Sequence, residues 1–416
     1  MTRDGFGRLS RAQLAVLVPE LLLAGQLIDR SALAYVLAEF GADGMRDIAI
    51  DEWMGASPVY TKRMQRALGF EGDDVVTIFK GLQLDIGAPP QFMDFRFTVD
   101  DRNHGQFHLD HCGALMDVEP MGEAYVRRMC HDIEDPTFDA TAVATNPRAQ
   151  MRPIHRPPRT PAGRTPHCAW TVTIDDAHEP VAWPAAALFL RDCEAGRFVG
   201  VTAIDPDEEG DGDYRGPLVA DVRFADFSHS ALVRIAEEVC LQMHLLNLSF
   251  LLAVRARTDA GTAIRLARKG FTGIAGLAAA RIRDALQLGD DLDSAATLLS
   301  IHPAFNPQSY VDLRIDRSDG LRLSLDRHTG AERDGAWAAL LDADHLEPLQ
   351  AILRAVDPHL RAVVEAASPD ALQVTVVRDD HAHDEAGEVS VTRISSGASF
   401  AFADRGDRRE LPLLRS

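Results

Sequence analysis

The spacing of apolar side chains divides the first part of the chain into a helical segment and a β-hairpin. Residues 9–68 carry leucines and other apolar residues at helical intervals, and residues 74–84 predict a further helix. Residues 93–99 and 105–111 instead alternate apolar and polar side chains, which is typical of two half-buried strands. The pattern therefore predicts helices followed by a hairpin that runs into Cys112.

The same order of elements returns in the second half of the chain. Matched positions are Ser10 and Ser228, Leu14 and Leu232, Glu20 and Glu238, Leu33 and Leu251, Asp74 and Asp291, Arg96 and Arg314, and Leu109 and Leu325. We infer an α+β fold of two tandem copies, each a helical segment followed by a small α/β unit with a β-hairpin. The first copy spans residues 1–226, with an inserted β region at about 177–226. The degenerate second copy spans residues 227–416.

Composition limits the classes of protein to which the chain can belong. Its 416 residues are 46% hydrophobic, which is enough for a core of two or three domains. A formal net charge of -20 disfavours nucleic acid and anionic membranes as partners. The apolar stretch at 239–254 is too short and too polar to span a bilayer. Five cysteines at irregular spacing favour a reducing, cytoplasmic location. For the assembly of the protein, a homodimer is one option.

Side chains that bind metals or act as nucleophiles concentrate between residues 104 and 134. This window holds four of the fifteen histidines and two of the five cysteines. In a regular second hairpin strand, His108 and Cys112 would share the face opposite the apolar side chains. In a helix over the following segment, His131 and Glu134 would share a face. We therefore expect these side chains to meet where the strand end approaches the helix.

The repeat strengthens this prediction, because the second copy lacks the same side chains. His108 aligns with Ser324, His111 with Arg327 and Cys112 with His328, and the stretch around Cys130 is shortened there. A framework present twice, with ligand-type side chains present once, is typical of an active copy beside a scaffolding copy.

The chemistry of the cluster suits a metal centre. Thiolate, imidazole and carboxylate groups bind zinc or ferrous iron, and a metal with an open position activates water. We predict catalytic roles for Cys112, His131 and Glu134. The candidate metal ligands are His108, His111, Cys112, Cys130, His131 and Glu134. A metal-free cysteine nucleophile paired with histidine is an alternative that the sequence does not separate from a metal site, and a structural buried cysteine is another.

Residues 146–168 form a second unusual stretch, with six prolines, five arginines and no acidic residue. Proline restricts the backbone, and guanidinium groups bind carboxylate or phosphate through two hydrogen bonds. One interpretation is a semi-rigid lid in which Arg148, Arg152 or Arg156 binds an anionic substrate. The other is a structural strap that is salt-bridged to the acidic surface of the protein itself.

The order of these motifs resembles the L-2-amino-thiazoline-4-carboxylic acid hydrolase-like family over residues 20–175. The motifs that carry the resemblance are the strand ending at Cys112, the segment 130–134, Asn146-Pro147 and Cys168-Ala-Trp170, preceded by Glu52-Trp53-Met54. The resemblance implies hydrolytic opening of a small ring acid that contains sulfur or nitrogen. The duplication and the added histidines depart from the family pattern, so the substrate does not transfer.

A shorter motif points to another class of enzyme. The spacing from His108 to Cys112 is similar to the haem-linking HxxxC pattern of a tyrosine hydroxylase family within the haem-dependent aromatic oxygenases. The sequence as a whole favours a metal-dependent hydrolase that acts on a small anionic substrate with a divalent metal, zinc or iron. The alternatives are a haem or non-haem iron oxygenase and a non-catalytic ligand-binding or sensor module.

Overall fold

The computed structural model of the chain describes residues 5–393 and 408–413. It confirms the predicted α+β class, because two separate four-stranded antiparallel sheets are surrounded by long helices. The remainder of the predicted second copy, residues 394–407 and 414–416, lies outside the described residues.

The helices and strands follow the order expected from the periodicity of the sequence. The α-helices are α1 (Arg11–Gln26), α2 (Ile28–Ala67), α3 (Val75–Leu82), α4 (Gly113–Val118), α5 (Glu123–Arg127), α6 (Glu134–Val143), α7 (Ala185–Asp192), α8 (Glu194–Arg197), α9 (His229–Arg255), α10 (Ala260–Leu286), α11 (Leu292–Ile301), α12 (Gln308–Val311), α13 (Gly330–Asp334), α14 (Glu347–Val356) and α15 (Gly387–Arg393). The strands are β1 (Met93–Val99), β2 (His104–Cys112), β3 (Ala149–His155), β4 (Cys168–Ile174), β5 (Leu313–Asp316), β6 (Leu321–Asp326), β7 (Leu360–Ala367) and β8 (Ala371–Arg378).

The two sheets have the same strand order and the same register. The first sheet is ordered β1-β2-β4-β3 and the second β5-β6-β8-β7. Arg96 lies opposite His108 in the first sheet, as Arg314 lies opposite Ser324 in the second. These are the pairs that align in the sequence, so the arrangement of strands recurs position by position.

The helical segments also recur, and they differ in how the helix is interrupted at one equivalent position. Ser10 and Ser228 cap the first helix of each copy, each accepting a hydrogen bond from a backbone N–H one turn later. Gly41 interrupts α2 with a φ of 71°, a conformation that only glycine adopts readily. The equivalent position in the second copy is Asp259, which caps α10. The part of α2 after Gly41 therefore corresponds to α10.

Two ion pairs join the copies reciprocally across their helical interface. Arg63 of α2 binds Glu238 of α9 with an N–O distance of 2.8 Å. At the equivalent positions, Arg281 of α10 binds Glu20 of α1 at 2.7 Å. The same two surfaces therefore contact each other twice, as the two halves of a symmetric dimer do. Helices α1, α2, α9 and α10 form the centre of the molecule.

The predicted inserted β region at 177–226 is wrong. This connection contains the short helices α7 and α8, and its β pairing consists of isolated bridges such as that of Asp211 with Phe227. Helix α7 buries Ala187 and Leu190, which are three residues apart, and it packs on α2 and α9. Helical spacing, rather than alternation, therefore determines the contacts of this segment.

Two helical segments are long and apolar enough to cross a membrane by length and composition, Arg11–Ala67 and His229–Arg255. Within the protein, 67% and 89% of their most apolar windows are buried. Both belong to the central helices, and burial in a protein core accounts for their apolar composition. The cytoplasmic location and the absence of a membrane partner stay predictions from the sequence.

Candidate functional site

An extra residue in β2 determines the direction of Cys112. Leu109 pairs with Phe95 and Cys112 pairs with Met93, so three steps along β2 span two steps along β1. Such a β-bulge shifts the alternation of side chains by one position. Cys112 therefore lies on the buried side with Leu109, which differs from the predicted face shared with His108.

The segment after the hairpin contains a π-helix, Arg128–Ile133, between α5 and α6. Its wider turn changes which residues are neighbours, because its hydrogen bonds run from i to i+5. Cys130 and Glu134, four residues apart, line the same cavity. His131 instead turns to the proline-rich stretch, where its Nε2 lies 2.7 Å from the Pro157 carbonyl oxygen. The structure therefore separates His131 from Glu134, which the sequence placed on one face.

Three cysteines meet in a small cavity of about 20 Å³, which we call the thiol cavity. Its lining consists of Met93, Leu109, Cys112, Leu115, Cys130, Glu134, Phe138, Arg156, Pro157, His167, Cys168 and Trp170. Burial raises the pKa of Cys112 to about 12, and burial likewise raises the pKa of Cys130 and Cys168. The thiols are therefore protonated at neutral pH, and the cavity lacks the thiolate that a cysteine nucleophile requires.

The remaining histidines of the predicted cluster lie apart from this cavity. His108 is on the outer face of the first sheet, with its Nε2 3.4 Å from an Asp110 carboxylate oxygen. His111 packs against His167 with ring centroids 5.9 Å apart, and burial lowers its pKa. Of the predicted metal ligands, only Cys112, Cys130 and Glu134 are brought together.

The predicted substrate-binding arginines are bound to the protein itself. Arg148 donates to the backbone carbonyls of Asp176 and His178, Arg152 pairs with Asp139 and Arg156 pairs with Asp135. Part of the stretch is strand β3, which accommodates Pro153 because it lies at the sheet edge. This arrangement is that of the structural strap, although Arg156 also reaches the thiol cavity.

A second cavity, of about 60 Å³, adjoins the thiol cavity, and we call it the carboxyl cavity. The two share Met93, Glu134 and Phe138. The polar residues that line the carboxyl cavity are Gln26, Asp29, Arg30, Ser57, Tyr60, Asp85, Glu134, Thr137 and Thr141. A water molecule needs about 10–15 Å³ of such space, so this cavity can hold a few waters or a small ligand.

Asp29 and Glu52 form a buried carboxyl pair at one side of this cavity. One Asp29 oxygen accepts a hydrogen bond from the Trp53 indole N–H at 2.7 Å. The Glu52 carboxyl group is buried and lies beside that of Asp29. Burial and the adjacent Asp29 carboxyl raise the pKa of Glu52 well above its usual range. Glu52 therefore keeps its proton to a higher pH than an exposed glutamate does, beside a second carboxyl group.

Asp85 and Glu134 contribute two further buried carboxyl groups. Burial raises the pKa of Asp85 to about 6, although its carboxylate accepts a 2.6 Å hydrogen bond from the Gly87 N–H. Burial also raises the pKa of Glu134 to about 7, against the opposing effect of the Arg30 charge. Both groups can therefore gain or lose a proton near neutral pH, which general acid–base catalysis requires.

Arg30 is the one guanidinium group among the residues that line the carboxyl cavity. Its Nε donates to Asp117 at 3.0 Å, and its Nη1 lies 3.9 Å from Asp29. Its Nη2 is buried and has no hydrogen-bond partner among the described residues. A buried donor without a partner is costly, and an oxygen atom of a bound anion would satisfy it.

The second copy replaces these charged groups with neutral ones. Position 29 corresponds to Asn247, position 30 to Leu248 and position 52 to Gly270. The cavity beside Asn247 and Gly270 has a volume of only about 10 Å³ and a mainly apolar lining. Asp29, Glu52 and Asp85 were not among the residues predicted from sequence. The register that aligns Asp74 with Asp291 places His302 at the position of Asp85, so the second copy lacks each of the three acids.

The arrangement does not fit the metal or haem site predicted from sequence. Over residues 5–393 and 408–413, no three His, Cys, Asp or Glu side chains are placed so that they could hold one metal ion. His108 and Cys112 point to opposite sides of the sheet, so they do not form a joint attachment for haem. Zinc, iron and haem therefore stay predictions from the sequence.

Comparison with known proteins finds no match. No protein-family model, no curated protein and no solved structure matches the chain. The resemblance to the amino-thiazoline carboxylic acid hydrolase-like family therefore stays a prediction from short motifs.

Proposed function

We propose that the chain is a hydrolase that binds a small carboxylate-bearing substrate in the carboxyl cavity and cleaves it by general acid–base catalysis. One observation carries the proposal: buried carboxyl groups and one buried arginine surround a cavity in the first copy, while the second copy has Asn247, Leu248 and Gly270 at the positions of Asp29, Arg30 and Glu52. A structural role common to both copies would not require this difference.

Arg30 is suited to hold the carboxylate of the substrate. Its Nη2 is the unpartnered buried donor of the cavity, and its other contacts, with Asp29 and Asp117, fix the plane of the guanidinium group. Charge-assisted hydrogen bonds of this type orient a ligand as well as bind it. The substrate would therefore enter with its anionic group toward Arg30.

Glu134 and Asp85 are suited to move the protons of a hydrolysis. One carboxylate accepts a proton from the attacking water, and a second, protonated carboxyl group donates to the leaving group. The raised pKa values of the two groups support such a pair, because each pKa lies close to neutral pH. The chain's own residues therefore supply both proton transfers.

The proposal is tested with a panel of small cyclic and acyclic amides and thiazolines that carry one carboxylate. Glu134→Gln keeps the size of the side chain but cannot accept a proton, and we expect turnover to fall by about 10²–10⁴-fold with little change in substrate binding. Arg30→Gln should instead weaken binding.

The matched control is Glu123→Gln, which removes an exposed carboxylate from α5 in the same segment. We expect wild-type turnover from this variant. Saturable binding by the wild type without any turnover would contradict the hydrolase and favour the ligand-binding module. An equal loss of turnover in the Glu123→Gln and Glu134→Gln variants would contradict the proposed role of Glu134.

A further inference from the structure

A groove lies between α7, α9 and α13, away from the carboxyl cavity. Its volume is about 440 Å³, within the range of about 300–1,000 Å³ that is typical of small-molecule sites. None of its lining residues lines the carboxyl cavity. A ligand bound here would therefore occupy a separate site.

Leucine side chains and one phenylalanine form the apolar wall of this groove. Leu188 and Phe189 of α7 are 41% and 62% exposed, and Leu248 and Leu251 of α9 lie beneath them. Phe189 is large and apolar, so its exposure leaves a favourable contact unmade in the free protein. An apolar ligand body would cover this surface.

One positive charge at the groove lacks a partner. Arg333 pairs with Glu194 at 2.9 Å, and Asp192 pairs with Arg191 at 3.1 Å. Arg255, in the last turn of α9, has no ion pair or hydrogen bond from its side chain among the described residues. Asp334, the other acidic residue of the lining, accepts hydrogen bonds from two backbone N–H groups of α8 and from the Tyr310 hydroxyl. The groove therefore combines an apolar wall with one guanidinium group that has no partner among the described residues.

The repeat indicates how this groove arose. Leu248 and Leu251 occupy the positions that Arg30 and Leu33 hold in the first copy, and both of those residues line the carboxyl cavity. In the second copy a leucine thus stands where the first copy has the buried arginine, and the guanidinium group of Arg255 lies two turns further along the helix. Two residues of the groove thus occupy positions whose counterparts line the carboxyl cavity, whereas α7 and α13 complete the groove.

We propose that this groove binds a small amphipathic organic acid, with its apolar body on Phe189 and Leu251 and its carboxylate at Arg255. Decanoate is a suitable probe, and decanol, which has the same chain length without the charge, is its matched control. Titration calorimetry below the concentration at which decanoate forms micelles measures both affinities. We expect saturable binding of decanoate at one site and about tenfold weaker binding of decanol.

Two variants test the two halves of the site. Arg255→Gln should weaken decanoate binding about tenfold and leave decanol binding unchanged, whereas Phe189→Ser should weaken the binding of both. Arg66→Gln, which removes an exposed arginine from the last turn of α2, should leave both affinities unchanged.

The inference is overturned if decanoate does not bind saturably, or if it binds no more tightly than decanol. Decanoate binding that is unaffected by both Arg255→Gln and Phe189→Ser would place the ligand elsewhere and would also overturn it. Because the groove and the carboxyl cavity share no residue, each of these outcomes leaves the proposed hydrolase untouched.

Discussion

Asp85 and Glu134 differ from ordinary surface acids because each remains protonated to a higher pH in the folded chain. Burial is the first cause of the raised pKa of both groups. A carboxyl group that exchanges its proton near pH 6–7 can act as an acid in one step and as a base in the next. The chemistry proposed for the cavity therefore follows from the placement of these side chains among apolar helices.

The same burial predicts a pH dependence of stability. The pKa of Asp85 is raised from 3.8 to about 6, so between these pH values the folded chain holds a proton that the unfolded chain has released. The contribution of Asp85 to the free energy of unfolding is on the order of 3 kcal/mol in total. It is fully present below pH 4 and is lost as the pH rises through the folded-state pKa of about 6. Asp85→Asn should remove this part of the dependence.

Urea denaturation of the wild type and of Asp85→Asn at several pH values between 4 and 7 measures the effect. The free energy of unfolding of the wild type should fall more steeply over this range than that of the variant. Parallel curves would show that the pKa of Asp85 is not raised in the folded chain.

The sequence alone identified Glu134 as a candidate site residue but missed the other buried acids, and the reason is physical. Acidic residues within a helix are usually on its solvated face, and local periodicity does not reveal which neighbouring element covers them. Asp85 lies between Leu84 and Ile86, and Asp29 follows Ile28, so an acid inside an apolar run was the available signal. Comparison of the two copies was the stronger signal, because Asp29 aligns with Asn247.

At the scale of elements, periodicity predicted the helices and the hairpins, whereas local irregularities escaped it. One extra residue in β2 turns Cys112 toward the core, and the π-helix Arg128–Ile133 separates His131 from Glu134. Both features depend on packing against other parts of the chain. The sequence therefore predicted which segments meet, but not which side chains of those segments meet.

The reciprocal ion pairs provide a prediction at this scale. Arg63 and Glu238 have side chains only 9% and 4% exposed, while those of Arg281 and Glu20 are 27% and 18% exposed. Removal of one partner from a buried pair leaves the other charge uncompensated and costs about 3–5 kcal/mol, against about 0–1 kcal/mol for an exposed pair. Arg63→Met should therefore destabilise the fold more than Arg281→Met.

Chemical denaturation of the two variants checks this order, with each serving as the control for the other. Equal loss of stability would contradict the expectation, and so would a larger loss in Arg281→Met. Either result would mean that the local environments of the two pairs are more alike than their exposure indicates.

At the scale of the whole molecule, one repeated framework carries two different concave surfaces. Both copies keep the strand order, the helix caps and the interface pairs, so these features belong to the fold. The carboxyl cavity is lined by buried carboxyl groups and an arginine of the first copy, whereas the apolar groove lies where α9 and α13 of the second copy meet α7. The two copies therefore share a framework and differ at these concave surfaces.

The most direct test of the carboxyl cavity is a titration of its acids by carbon-13 NMR, with labelled glutamate and aspartate side chains. The resonance lost in Glu134→Gln should titrate near pH 7 in the wild type, and the resonance lost in Asp85→Asn should titrate near pH 6. If both resonances titrate near pH 4, as exposed carboxyl groups do, the cavity has no acid–base pair poised at neutral pH and the proposed mechanism is wrong.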